Sequence, residues 1–129
     1  MKLLLDTHIW IWLVESPSRL GAQAAKELAN TANELWLSPV STWEVLMLHR
    51  KKRLFLPAHP DDWLPTALAG IQQHAPLTHE IVLAAEKLSL HQDPADRFIA
   101  ATALVHDLTL VTADQRLLGL GHIRALANR

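Results

Sequence analysis

The amino-acid sequence predicts an α/β fold built on a mostly parallel central sheet. Short apolar runs of strand length recur along the chain at Lys2–Leu5, Glu34–Leu37 and Leu108–Val111. Longer segments with helical spacing of apolar residues separate them, and strands alternating with helices are the mark of parallel winding. The chain has 129 residues, half of them hydrophobic and 19% charged, which suits one globular domain over residues 1–129.

Each element has its own justification. Lys2–Leu5 reads as a buried strand ending at Asp6, and the pattern turns helical from Thr7 to Val14. In "SRLGAQAAKELANTAN", Leu20, Ala24, Ala25 and Leu28 fall on one face of an amphipathic helix. "ELWLSPVS" supplies a second strand, and Ser41 reads as the N-cap of a helix through "STWEVLMLHRKK". The proline-punctuated "LPAHPDDWLPTALAG" reads as a loop and a short helix, and "IQQHAPLT" carries a faint strand signal. "HEIVLAAEKL" and "PADRFIAATALVHD" are helical; in the latter Asp93 is placed to cap and Pro94 to open the first turn. "LTLVTAD" is a further strand, and a last one is expected around "HIRAL".

Composition excludes several classes of function. There is no cysteine, so disulfides, thiolate metal sites and cysteine nucleophiles are absent, in keeping with a reducing, cytoplasmic setting. No apolar run approaches the roughly 18 residues of a membrane span. The start "MKLLLDTHIWIWLV" is not read as a signal peptide, because Asp6 and His8 interrupt it and no A-x-A-like cleavage site follows. A net charge of −1 gives no global nucleic-acid signature, and the clearest local basic patch is "HRKKR", His49–Arg53.

Four acids carry the functional signal. Asp6 ends the first strand, Glu44 lies in the first turn of the helix after the second, Asp96 lies in the first turn of the helix leading to "LTLV", and Asp114 follows that strand. Ligands of open α/β sheets bind at the carboxyl ends of the strands, where conventional winding would bring these positions together. Each acid also has a structural reading. Asp6 can cap a helix, Asp114 can cap a turn at "DQRLL", Glu44 can close a capping box with Ser41, and Asp96 can serve the helix dipole. Gathered together, however, carboxylates raise one another's pKa and cost stability unless a cation neutralises them. Oxygen ligands without cysteine point to Mg²⁺ or Mn²⁺ and to phosphoryl chemistry, in which such ions activate water and stabilise the leaving oxygen.

These segments resemble the PIN-domain family of metal-dependent ribonucleases, and within it the VapC-type toxins of bacterial toxin–antitoxin pairs. "LLLDTHIWIWL" resembles the family's opening strand and first acid, "SPVSTWEVLMLHRKKRL" the segment of the second, "HQDPADRFIAATAL" that of the third and "LTLVTAD" that of the fourth. The resemblance implies a three-layer α/β/α fold and an Mg²⁺- or Mn²⁺-dependent endoribonuclease. It implies Asp6 and Asp96 as core metal ligands, Glu44 as a ligand directly or through water, and Asp114 as completing the site, with Thr112 orienting Asp114 or the attacking water. It further implies a homodimer, an RNA substrate and an antitoxin that covers the site. A PIN nuclease that processes RNA without an antitoxin, or a silent binding module, would share the motifs. A haloacid-type phosphatase would want a second Asp two residues after the first, where this chain has His8.

The remaining polar residues divide between bland and functional readings. Asp93 reads as a cap or as support for the site. His8 and His91 could line its mouth, although no histidine spacing suits zinc. Arg97 could meet a phosphate or pair with an acid. "HRKKR" suits a helix C-terminus or a phosphate-steering patch. Trp10 and Trp12 lie about 200° apart on a helix, so a second layer, from this chain or from a partner, must cover one of them. Trp36, Trp43 and Trp63 are expected to fill or edge the core.

Overall fold

The computed structural model describes residues 1–89 and 93–129. Among them, β1 (Lys2–Leu5), β2 (Glu34–Leu37), β3 (Gln73–His74), β4 (Thr109–Thr112) and β5 (Ala125–Ala127) form one sheet in the order β3-β2-β1-β4-β5, every pairing parallel. Interleaved with the strands are α1 (Thr7–Glu15), α2 (Ala22–Ala29), α3 (Pro39–Arg50), α4 (Pro60–Leu68), α5 (His79–Glu86), α6 (Pro94–Val105) and α7 (Gln115–Leu118).

The period of two along each strand divides the core into two layers. Leu3, Leu5, Leu35, Leu37 and Val111 point to one face, where they pack with Ile9 and Trp10 of α1, Leu28 of α2 and Trp63 and Ala67 of α4. Leu4 and Leu110 point to the other, against Ile81 and Ala85 of α5, Ile99 and Ala103 of α6 and Leu117 of α7. This is the expected three-layer α/β/α arrangement. It explains why β1 is leucine at three successive positions: a strand covered on both faces has no solvent side. Each of those buried leucines stabilises the fold by roughly 1.5–3 kcal/mol.

Several elements differ from expectation in instructive ways. Helix α3 begins at Pro39 and its N-cap is Ser38, whose side chain accepts from the Val40 amide; Ser41 is therefore not the cap. Proline with its missing amide suits the first helical position, so "SP" outranks "ST" as a start, and the capping box Ser41–Glu44 does not form. The "SRLGAQ" stretch is not α-helical throughout: a 3-10 turn at Pro17–Arg19 precedes α2, which starts after Gly21. The fourth strand begins one residue later than expected, at Thr109, and includes Thr112, and the last strand is shifted from "HIRAL" to Ala125–Ala127. Trp43 is 53% exposed rather than in the core. The inward stripe of α3 runs through Ser41 and Val45, and Trp43, two residues from each, faces away. Trp63 is buried as expected, and Trp36 is half-buried against the second layer.

Winding sets the location of the site. The chain leaves central β1 towards β2 and β3, then crosses back through α5 and α6 to β4 on the other side of β1. The switch point therefore lies between the carboxyl ends of β1 and β4, in register at Leu5–Val111 and tied by the Asp6 amide donating to the Val111 carbonyl at 3.0 Å. A crevice is expected at that point. No described helix is long and apolar enough to cross a membrane.

Candidate metal centre

Asp6 leaves β1 in an extended conformation and caps α1: one carboxylate oxygen accepts the Thr7 amide at 2.9 Å. The other accepts the Thr112 hydroxyl at 2.6 Å, a bond spanning the switch point from the end of β4. The same hydroxyl accepts the Asp114 amide at 3.0 Å. Thr112, fully buried, thus holds the first acid and the backbone of the last in one frame.

Glu44 and Asp96 come from neighbouring helices. Glu44 projects from the second turn of α3, where the Thr7 hydroxyl donates to its carboxylate and lies 2.9 Å from the Ser41 hydroxyl. Asp93 caps α6, accepting the Ala95 amide at 3.1 Å, and Asp96 lies in the first turn of the same helix. One carboxylate oxygen each from Glu44, Asp93 and Asp96 lie within 4.8 Å of one another. Asp6 and Asp114 join them as walls of a single cavity of about 340 Å³, with His8 and Trp12 at one side and Arg116 at another. Asp114 caps α7, and Arg116 grips it, one guanidinium nitrogen 2.9 Å from Asp114 and 3.8 Å from Asp96.

The electrostatics follow from this crowding. Burial pushes the Asp6 carboxyl above its ordinary value, against the lowering effect of the Thr112 and Thr7 hydrogen bonds, and nearby Asp96 adds to the rise. Burial likewise pushes Glu44 up to about 7, with Asp96, Asp6 and Asp93 contributing and the Thr7 hydroxyl opposing. Arg116 is held more firmly protonated, chiefly by its hydrogen bond to Asp114. A protein that confines four or five carboxylates while supplying one exposed guanidinium leaves negative charge for a further cation to neutralise.

The structure brings Asp6, Glu44, Asp96 and Asp114 to one cavity, with Thr112 beneath it. Asp93 does double service: the oxygen that caps the helix leaves the carboxylate able to face Glu44 and Asp96. His8 lines the mouth, and His91 lies outside the described residues. Arg97 reaches the C-terminal end of α5, donating to the Ala85 and Glu86 carbonyls at 2.6 and 3.2 Å. Sequence reasoning missed Arg116. Its signal was available, since an Arg two residues after an N-cap Asp sits in the first turn beside that carboxylate, as "DQR" does here.

Comparison with known proteins gives matches over nearly the whole chain. The PIN domain family model matches residues 3–122. Ribonuclease VapC22 of Mycobacterium tuberculosis is 36% identical over 123 residues, 94% of this chain and 93% of that protein. Among solved structures, VapBC2 from Rickettsia felis, bound to a DNA fragment from its promoter, superposes with a TM-score of 0.74 at 16% identity, covering 98% of both chains. A toxin–antitoxin complex from Klebsiella pneumoniae gives 0.66 at 22% identity, again over 98% of each chain. Those two likenesses concern the fold; the family model and the M. tuberculosis relative, each spanning nearly the whole chain, establish that it belongs to the PIN-domain family.

Proposed function

We propose that the chain is a divalent-metal-dependent endoribonuclease and the toxin of a toxin–antitoxin pair. The observation that carries this reading is the convergence of Glu44, Asp93 and Asp96 oxygens within 4.8 Å at the β1–β4 switch point. The donor set is all oxygen and charge-rich, which fits Mg²⁺ or Mn²⁺. Asp96, Asp6 and Glu44 would hold the ion, with Asp114 completing the site and Asp93 beside it. A divalent ion there supplies the positive charge that makes water a competent nucleophile and neutralises the phosphodiester oxygens.

The chain's own residues do the positioning. Thr112 fixes the rotamer of Asp6 through its hydroxyl and the approach of Asp114 through that residue's amide. Thr7 does the same for Glu44. The raised Glu44 carboxyl means that the site carries less than its full charge near neutral pH until a cation arrives, and cation binding would release a proton. Arg116 holds Asp114 and partly balances Asp96 when no cation is present.

The nuclease assignment draws on the M. tuberculosis relative, which is described as a ribonuclease, and the antitoxin on the toxin–antitoxin complexes that share the fold. An apolar groove of about 390 Å³ walled by Trp43, Leu77 and Phe98, beside Pro39, Val40 and Pro94, supports a homodimer, because a surface of that kind gains by being covered. The test is cleavage of total RNA by the purified chain with Mg²⁺ or Mn²⁺ against EDTA, beside Asp6→Asn and Asp96→Asn. Metal-dependent cleavage lost in both variants is the expected result. Cleavage that survives EDTA and both substitutions would overturn the proposal.

A further inference from the structure

The acid cavity does not end at His8 and Trp12. Both residues also line a second groove, of about 450 Å³, that runs between α1 and the turn after α3 to Arg19, Arg53 and Phe55. The turn is made by Lys52, in the left-handed region at φ 57°, with the Lys52 amide donating to His49 and the Arg53 amide to Leu48. This closure of the helix end carries the chain on to Phe55, which is 87% exposed. Across the groove the Arg19 guanidinium sits over the Trp12 ring at 4.9 Å, and His8 lies 5.9 Å from the same ring. The acid in this lining, Glu15, has one carboxylate oxygen accepting the Trp63 indole at 2.6 Å.

The charge pattern reverses from cavity to groove. Carboxylates alone repel a phosphodiester chain, so a polyanionic substrate needs a cationic approach to an acidic centre. Two arginines beside an exposed phenyl ring are what a single strand requires: guanidinium groups for phosphates and a ring face for an unstacked base. A duplex would hide its base faces from Phe55. We propose that this groove is the track of a single-stranded RNA segment, with a nucleobase stacked on Phe55 and backbone phosphates at Arg19 and Arg53. The inference rests on the nuclease reading and assigns residues outside the acid cavity to holding the strand.

The experiment is fluorescence anisotropy in EDTA, where cleavage is suppressed, using a labelled mixed-sequence RNA octamer, the same octamer in a duplex, and an abasic octamer. Phe55→Ala should weaken octamer binding by roughly 5–100-fold, the range for loss of one stacked base. It should leave the abasic octamer unaffected, and Phe55→Tyr should restore the wild-type affinity. Arg19→Ala and Arg53→Ala should each lower the slope of log affinity against log salt by about 0.7. The duplex should bind more weakly than the single strand. Thermal melts check folding, which the exposure of Phe55 protects. Octamer affinities equal to wild type in Phe55→Ala and Arg53→Ala, or tighter binding of the duplex, would overturn the proposal and leave the groove to a protein partner. That failure is distinct from failure of the nuclease reading, which the metal-dependent cleavage assay decides.

Discussion

Glu44→Gln tests the electrostatic account of the site without disturbing its shape. The amide keeps the oxygen that accepts the Thr7 hydroxyl and removes only the ionisation. In the metal-free protein the carboxyl is pushed from its ordinary 4.5 to about 7, so folding favours its protonated form. Stability from this group is therefore fully present below about pH 4.5 and is lost as pH rises through about 7. The rise corresponds to a ceiling of roughly 3 kcal/mol. Glu44 is only partly buried, and solvent screening brings the figure to about 1–2 kcal/mol. Urea denaturation in EDTA should find Glu44→Gln more stable than wild type by that amount at pH 8, with the gap closing by pH 5. Saturating Mg²⁺ at pH 8 should then stabilise wild type by more than the variant. A variant less stable than wild type at pH 8, or a gap that does not change between pH 5 and 8, would refute the idea that crowding and burial hold this carboxyl neutral.

Other substitutions probe the frame. Thr112→Val removes the donor to Asp6 and the acceptor of the Asp114 amide and should cost about 2–3 kcal/mol in urea. Thr112→Ser should recover most of that loss. Trp10→Phe removes the indole donor to the Ala67 carbonyl at 2.9 Å and should cost about 1–3 kcal/mol by thermal or urea unfolding, since the carbonyl is left in the core. Arg116→Ala should lower the metal-free melting temperature and tighten Mg²⁺ binding several-fold by calorimetry, because the competing cation is gone; unchanged Mg²⁺ affinity would argue against a shared site.

What was legible in the sequence was what local chemistry determines. β1 matched its apolar run because a strand covered on both faces has no solvent side, and β2 matched because Leu35 and Leu37 alternate into the core beside half-buried Glu34 and Trp36. The caps at Asp6 and Asp93 were legible because a short acid ahead of a helical run accepts its first amides, and Asp114, expected to cap a turn, caps the short helix α7. Less legible were elements held by context. β3 is two exposed residues, Gln73 and His74, and is held against β2 because the Leu35 and Leu37 carbonyls accept the amides of Gln72 and Ala75 on either side of it. The cap of α3 was misplaced by three residues because two good caps, Ser38 and Ser41, stand one turn apart, and Pro39 decides between them. Trp10 and Trp12 posed a question that the fold answers differently for each: the chain's own α4 covers Trp10, while Trp12 stays at the mouth of the site. The meeting of the acids was legible only through the winding rule and the family resemblance. Arg116 beside Asp114 was open to the same local reading, whereas its reach to Asp96 on another helix needed coordinates.

The bond between Thr112 and Asp6 joins residues 106 positions apart. A chain emerging from the ribosome holds Asp6, Glu44 and even Asp96 before it holds β4, yet without that strand Asp6 has no hydroxyl to orient it and the cavity lacks the wall that carries Asp114. Thr112 also receives the Asp114 amide, so the first and last acids are oriented by one side chain on β4. The frame of the centre is thus a reporter of β1–β4 pairing: any state of the chain in which those two strands are apart has acids but no site.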